Sequence, residues 1–128
     1  MVITNIREWF NAVFRDVKMY KLNVREKYYN MLKSGVKKIE LRLFDDKRKN
    51  IKIGDMIEFA NVSDTKDTFA AQVIDLHRAD DFAALCRIID CRDAGFETDI
   101  ELVAALQEFY PPEQQKKYGV VGIEIDKI

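Results

Sequence analysis

The stretch Gly35-Val36-Lys37-Lys38-Ile39-Glu40-Leu41-Arg42 carries the strongest structural signal in this chain. Its glycine follows a predicted helix and suits the end of that helix, because glycine readily adopts the left-handed conformation found there. The following residues alternate, so the apolar ones point to one face of a strand while Lys38, Glu40 and Arg42 point to the other. Charges of both signs at this spacing build either a compact polar site or an ordinary solvated strand face.

Outward from this stretch, hydrophobic periodicity predicts short strands interleaved with helices. The predicted strands span residues 19–24, 38–44, 56–60, 68–76 and 120–125. Amphipathic helices are predicted over residues 4–16 and 25–33, a third after Asp80 or Asp81, and a fourth that opens at Thr98 and is closed by Pro111-Pro112. The irregular spacing of short strands favours a mixed or antiparallel curved sheet with peripheral helices over a doubly wound parallel sheet.

Composition excludes several classes of protein. A chain of 128 residues with 48% apolar and 34% charged residues corresponds to one ordinary globular domain. It contains no apolar run near the roughly 20 residues of a membrane span, and its first 16 residues lack the features of a signal peptide. Two cysteines form neither a disulfide framework nor a four-ligand metal site. We therefore expect a cytoplasmic protein without membrane contact, cofactor or bound metal.

Charge is distributed unevenly along the chain. Residues 18–54 carry 12 Lys and Arg against 4 Asp and Glu, a local charge of +8, whereas residues 55–128 carry 7 against 16, or −9. Residues 1–17 balance, which returns the overall −1. A basic third in a nearly neutral chain predicts a positive surface for phosphate groups, unless charges of both signs mix in three dimensions.

The pattern Gly35-x-Lys37-x-x-Glu40-x-Arg42 resembles the hallmark motif of ASCH domains, which belong to the PUA-like superfamily of small β-barrels. The resemblance extends to the preceding helix and to three later segments: Ile51-Lys52-x-Gly54-Asp55-x-Ile57-x-Phe59, Tyr110-Pro111 and Tyr118-Gly119-Val120-Val121. It implies an α+β fold, a PUA-like curved β-barrel of about five or six short strands with flanking helices. The ASCH domain would span residues 18–128, and the helix of residues 1–17 would lie outside it.

The resemblance also implies a cleft lined by the motif. Related PUA domains bind RNA, ASCH domains are thought to bind nucleic acid or nucleotides, and one branch of small bacterial members hydrolyses the amide of N4-acetylcytidine. In that branch the lysine equivalent to Lys37 is catalytic, a threonine stands at the position of Glu40, and a later glutamate completes the site. Some members have also been proposed as ribonucleases. Lys37 is kept in this chain, whereas Glu40 departs from the amidohydrolase pattern.

The residue types themselves support a polar site. Arg42 offers a planar fork to a carboxylate or phosphate, and Glu40, two residues away on the same face, either pairs with it or accepts a hydrogen bond from a base edge. Lys37 near another cation and partly desolvated loses basicity, which suits a nucleophile or base. The alternative is an ion pair that only stabilises the barrel.

Other candidates extend this site. Tyr29, expected to be exposed, and Tyr118 could stack a base, whereas Tyr28 lies on the apolar face of its helix and favours core packing. His77 has no companion ligands at metal spacing, so a structural role is favoured. The predicted binding residues are Lys37, Lys38, Glu40, Arg42, Tyr29, Lys47, Arg48, Lys49, Lys52 and Tyr118.

Two hypotheses remain open. The first is a binding module for RNA or a nucleotide that uses Lys37, Glu40, Arg42 and the basic third of the chain. The second is a small hydrolase acting on a modified nucleoside or on RNA, with Lys37 and Glu40 as its catalytic residues. The stripe around Trp9 and Phe10 on the N-terminal helix belongs to either the core or a dimer contact.

Overall fold

A five-stranded sheet forms the centre of the chain in the computed structural model, which describes residues 5–13 and 17–128. The strands are β1 (Met19–Val24), β2 (Ile39–Leu43), β3 (Met56–Asn61), β4 (Asp64–Ala79) and β5 (Val120–Lys127). Their order in the sheet is β1-β3-β4-β5-β2; β1 and β3 are parallel, and the other neighbours are antiparallel. The sheet curls into a half-barrel with flanking helices, which confirms the predicted α+β, PUA-like fold.

Strand β4 connects the two halves of this sheet. Its first half pairs with β3 and its second half with β5. The register against β5 shifts between Val73 and Asp75, where β4 carries one extra residue. Such a bulge bends a strand and re-aims its side chains. The prediction over residues 68–76 found only the middle of this 16-residue strand, because its exposed ends lack apolar alternation.

The described part of the chain forms five helices: α1 (Ile6–Val13), α2 (Glu26–Ser34), α3 (Phe82–Leu85), α4 (Asp99–Phe109) and α5 (Pro112–Tyr118). Residue 4 and residues 14–16 of the predicted first helix lie outside the described residues, as does the side chain of Phe10. Thr98 caps α4 by accepting a hydrogen bond from the N–H of Glu101, as the sequence predicts. None of the helices described is long and apolar enough to cross a membrane.

Helix α5 was not predicted. Pro111-Pro112 follows the end of α4 at Phe109, as the sequence predicts, and Pro112 also begins a new helix. Proline is well suited to that position, because the first N–H groups of a helix have no partner within it.

Each face of the sheet contributes to a separate hydrophobic cluster. One cluster includes Tyr29 and Leu32 of α2 and Phe59 of β3, together with Ile123 of β5. The other lies between β2 and the helices α3 and α4, with Phe82 and Leu102 at its centre. Because both faces are covered, β2 is buried on both sides. A charged residue on β2 must therefore find its partners inside the protein.

Candidate functional site

Three charged residues of the motif converge because of how α2 ends and β2 begins. Gly35, with φ of 87°, ends α2 in the left-handed conformation, and the N–H of Lys37 then donates to the carbonyl of Met31 at 3.0 Å. Glu40 and Arg42 lie two residues apart on β2 and so project from one face, as the alternation predicts. The chain turn thus directs Lys37 toward that same face.

Glu40 is the centre of a buried ion network. Its Oε1 lies 3.4 Å from Lys37 Nζ, and its Oε2 accepts hydrogen bonds from Arg42 Nη2 at 2.9 Å and Nε at 3.1 Å. Lys37 Nζ also donates to the carbonyl of Ala94 at 2.7 Å. The side chains of Lys37 and Glu40 are only 3% and 7% exposed, and that of Arg42 only 13%. These hydrogen bonds and ion pairs compensate for the hydration that the three side chains lose on burial.

The network carries two positive charges and one negative charge. Burial lowers the pKa of Lys37, although Glu40 opposes this shift, and the nearby Arg42 adds to it. Burial alone would raise the pKa of Glu40, but attraction to Lys37 and Arg42 outweighs it and holds that pKa below its usual value. The direction for Lys37 follows from burial, and the direction for Glu40 follows from the two cations beside it. Lys37 therefore loses its proton more readily than an exposed lysine does, and with Lys37 protonated the network attracts an anionic group.

Arg42 also joins the two edges of the half-barrel. Its Nη2 donates to the backbone carbonyl of Asn23 at 2.8 Å. Asn23 lies on β1 and Arg42 on β2, which are opposite edges of the sheet. The guanidinium fork therefore bridges strands that share no backbone ladder, and the interpretation of Glu40 and Arg42 as a barrel-stabilising pair agrees with this contact.

A cleft of about 300 Å³ opens over this network. Lys37, Glu40 and Arg42 form its polar floor, and four aromatic residues supply much of its wall: Tyr28, Phe96, Phe109 and Tyr110. The ring centroids of Tyr28 and Phe96 are 5.8 Å apart. The volume lies at the lower end of the range typical of small-molecule sites, about 300–1,000 Å³. Aromatic walls around a charged floor suit a flat, polar ligand.

Cations cover two of these rings. The guanidinium of Arg25 lies 4.2 Å from the ring centroid of Phe109, and Lys37 Nζ lies 5.4 Å from that of Tyr28. Both distances fall within the reach of cation–π attraction. Sequence analysis had assigned no role in the site to Arg25, Phe96 or Phe109. Phe109 lies at the end of α4 and Phe96 in the loop before that helix, but sequence position does not specify which cavity a side chain faces.

The predicted roles of Tyr28 and Tyr29 are exchanged in the structure. Tyr29, expected to be exposed, has 0% exposure, and its hydroxyl donates to Asp67 Oδ1 at 2.7 Å. It packs edge-on against Phe69, so it cannot reach the cleft. Tyr28, expected in the core, is partly exposed and lines the cleft. The reason is that β4 presents Phe69 and Asp67 to the Tyr29 side of the helix.

The basic loop does not line the cleft. Lys47, Lys49 and Lys52 are exposed, while Arg48 pairs with Asp45 at 2.9 Å and Lys49 with Asp46 at 3.1 Å. The loop lies toward the start of β1, where the Tyr20 hydroxyl donates to the carbonyl of Asn50, whereas Asn23 at the other end of β1 lines the cleft. At about 3.3 Å per residue, the span of β1 from Tyr20 to Asn23 separates the loop from the cleft by on the order of 10 Å.

The remaining predicted residues lie elsewhere. Lys38 is exposed and does not line the cleft, although its carbonyl accepts from the N–H of Ile125. Tyr118 lines a different, larger cavity of about 780 Å³ beside α5. None of the buried charges of the network lines that cavity, and its basic residues Arg78, Lys116 and Lys117 are all exposed. We regard the smaller cleft as the candidate site because it brings the motif charges together.

The predicted continuous positive surface stays a prediction. Five of the 12 basic residues between positions 18 and 54 form ion pairs. The carboxylates that pair with them lie between the same positions, except that of Asp67. These five are Lys33, Lys37, Arg42, Arg48 and Lys49. These ion pairs neutralise part of the local charge of +8. The exposed remainder includes Lys21, Arg25 and Lys27 near the cleft end of β1.

Comparison with known proteins places the chain in a family. The sequence profile of the ASCH domain matches residues 22–128. A hypothetical protein of known crystal structure is 33% identical, with a TM-score of 0.76, over 86% of this chain and 99% of its own. A protein from Pyrococcus furiosus, solved by NMR in solution, is 29% identical, with a TM-score of 0.68, over 86% of this chain and 97% of its own.

A crystal structure of an ASCH protein from Zymomonas mobilis shares the fold, with a TM-score of 0.59 at 12% identity over 85% of this chain and 67% of that one. No protein of curated function matches the chain. The profile match covers most of the sequence and agrees with the fold described above. The chain therefore belongs to the ASCH domain family.

Proposed function

We propose that this protein binds RNA or a nucleotide by taking one unstacked base into the cleft. The observation that carries the proposal is the combination of an aromatic wall with a buried, charged floor of net charge +1. Aromatic side chains stack bases of any sequence, which is worth about 1–3 kcal/mol per base. Recognition of RNA by proteins relies on such unstacked bases rather than on the paired helix.

The floor supplies hydrogen bonds to the base edge. A carboxylate oxygen accepts two hydrogen bonds, and Glu40 Oε1 faces only Lys37 among the described residues, at 3.4 Å. It therefore retains capacity for an amine of a base, which is the contact that glutamate makes with cytosine N4. Arg42 and Arg25 lie at the same cleft and offer donors to a phosphate. We expect cytosine and adenine, which carry an exocyclic amine, to bind more tightly than uracil.

The test measures fluorescence anisotropy of labelled single-stranded oligo(C), oligo(A) and oligo(U), and of free CMP by competition. The wild type is compared with Tyr28→Ala, which removes a wall of the cleft. The matched control is Tyr118→Ala, because Tyr118 is also partly buried and also lies under a lysine, Lys117 at 5.1 Å. Circular dichroism verifies that each variant is folded.

We expect Tyr28→Ala to weaken binding by roughly 5- to 150-fold, the equivalent of about 1–3 kcal/mol. Tyr118→Ala should leave affinity unchanged. Affinity should fall steeply with salt for the oligonucleotides, since each phosphate contact releases counterions. Absence of binding at low salt, or equal loss in both variants, contradicts the cleft as the binding site.

A second candidate function is hydrolysis, and one observation favours it. Lys37 is buried with a pKa lowered by that burial, so a neutral amine is accessible nearer physiological pH than for an exposed lysine. In the amide hydrolysis of an acylated base, the amine would take a proton from water while the oxygen adds to the acyl carbon. The C–N bond then breaks, and the base amine leaves with a proton returned by Lys37.

The enzyme test is incubation with N4-acetylcytidine and with a structureless RNA, with and without divalent metal, followed by chromatography. Lys37→Arg is the informative variant, because it keeps the charge but supplies no neutral amine at accessible pH. Lysine chemistry predicts turnover by the wild type and none by Lys37→Arg. Retention of the ligand without product selects the binding function.

A further inference from the structure

His77 lies between two carboxylates on the face of the sheet opposite the cleft floor. Its Nε2 is 2.9 Å from Glu124 Oε1 and 3.7 Å from Asp75 Oδ2. One ligand atom from each residue falls within 4.8 Å of the other two. The strand register explains the grouping, since Asp75 pairs directly with Glu124 across β4 and β5 and His77 follows two residues later. Strand pairing therefore gives His77 the neighbouring carboxylates that sequence spacing alone does not.

The group is separate from the cleft. Glu40 pairs with Ile123 across β2 and β5, and Glu124 is the next residue, so its side chain leaves the opposite face of β5. Gly122, which lies on the same face of β5 as Glu124, approaches Ile39 and Leu85 of the cluster beside α3 and α4. A variant in this group can therefore be examined without altering the ion network of the cleft.

Two features orient the carboxylate of Asp75. The bulge between Val73 and Asp75 adds a residue to β4 and re-aims the side chains that follow it. The N–H of Leu76 then donates to Asp75 Oδ1 at 2.8 Å, which leaves Oδ2 directed at His77. Hydrogen bonds of this kind fix the direction of metal-binding oxygens in proteins.

The histidine alone does not balance the charge of this group. Nε2 of an imidazole carries at most one N–H and so donates to one acceptor, yet both carboxylates face that same nitrogen. Two like charges so close repel each other, and a cation bound to both removes the repulsion. The side chains of Asp75, His77 and Glu124 are 51%, 20% and 32% exposed, so an ion has access from solvent.

We propose that Asp75, His77 and Glu124 bind a divalent transition-metal ion, with Zn²⁺ the best fit. Imidazole nitrogen and carboxylate oxygen are ligands of Zn²⁺ at about 2.0–2.2 Å, which sets their mutual separation at about 3–3.5 Å. The observed 2.9 and 3.7 Å bracket that value. A single imidazole also distinguishes the site from the all-oxygen sites of Mg²⁺ and Ca²⁺. Three protein ligands leave a coordination position for water.

The experiment uses the untagged full chain, freed of metal with EDTA and then dialysed. Zn²⁺ is titrated by isothermal calorimetry, and the imidazole nitrogens are followed by NMR. The chain contains a single histidine, so the imidazole signals are unambiguous. We expect one Zn²⁺ per chain and a shift of the His77 nitrogen signals that saturates at the same ratio. Mg²⁺ at the same concentration should leave the signals in place.

Variants then assign the ligands. His77→Ala and Glu124→Gln should each lower Zn²⁺ affinity at least about tenfold. The matched control is Asp126→Asn on β5, which should bind as the wild type does. Cys86→Ser with Cys91→Ser should also bind normally, which excludes the thiols. Absence of saturable binding, unmoved His77 signals, or unchanged affinity in His77→Ala overturns the proposal. The NMR result on the wild-type chain stands even where a variant does not fold.

Discussion

Replacement of Glu40 by glutamine tests the role of the buried ion network in the fold. The substitution keeps the size of the side chain but leaves the charges of Lys37 and Arg42 buried without their shared carboxylate. Breaking a buried ion pair by removing one partner costs about 3–5 kcal/mol, because an uncompensated charge stays inside the protein. For a domain of 128 residues, 1 kcal/mol corresponds to about 4 °C in Tm, so we expect Glu40→Gln to lower Tm by about 10–20 °C.

The assay is thermal and urea unfolding at neutral pH, followed by circular dichroism. Glu108→Gln, on the exposed face of α4, is the matched control and should change the free energy of unfolding by less than about 0.5 kcal/mol. A double-mutant cycle with Lys37→Met isolates the ion pair. The double variant should be about 1–3 kcal/mol more stable than the sum of the single changes predicts.

Two outcomes refute this reasoning. If the free energy of unfolding of Glu40→Gln lies within about 1 kcal/mol of that of the control variant, the network does not stabilise the fold by the amount expected of a buried ion pair. If the two single changes add without coupling, Lys37 and Glu40 do not interact in the folded protein.

Three further predictions concern the sheet and its packing. Gly122→Ala should destabilise the protein by about 1–3 kcal/mol in urea unfolding, because the added Cβ would lie 2.9 Å from Cγ2 of the buried Ile39; an unchanged midpoint would contradict the packing described. Tyr29→Phe should cost about 1–2 kcal/mol by the same assay, since its hydroxyl donates to Asp67, and no loss would mean that water replaces the contact. Because the pKa of Glu40 is held below its usual value, the network contributes its full stability above the ordinary glutamate pKa, and this stability is lost as the pH falls through the lowered pKa of Glu40. The free energy of unfolding of Glu40→Gln should lack this dependence on acid pH. The same slope of unfolding free energy against pH in both proteins would contradict the prediction.

Local patterns predicted more of the fold than of the site. The glycine that ends α2, the alternation of β2 and the cap at Thr98 are all encoded within a few residues, so they could be read directly. Pro112 shows the limit of such reasoning, because a proline that ends one helix also begins the next.

The candidate site depends on contacts between distant segments. Helical periodicity placed Tyr28 in the core and Tyr29 outside, whereas Phe69 and Asp67, about 40 residues away along the chain, decide the opposite. Likewise, no spacing rule brings Glu124 to His77. Their approach depends on the pairing of β4 with β5, and a bulge sets that register.

The hydrogen bond from Arg42 to Asn23 has a consequence for self-association. Strands β1 and β2 are the unpaired edges of the half-barrel, and exposed edges are templates for strand addition from another chain. Arg42 occupies one edge carbonyl and places a charge where an incoming strand would have to pair. A residue of the polar floor of the cleft therefore also occupies a backbone group that strand addition at this edge would use.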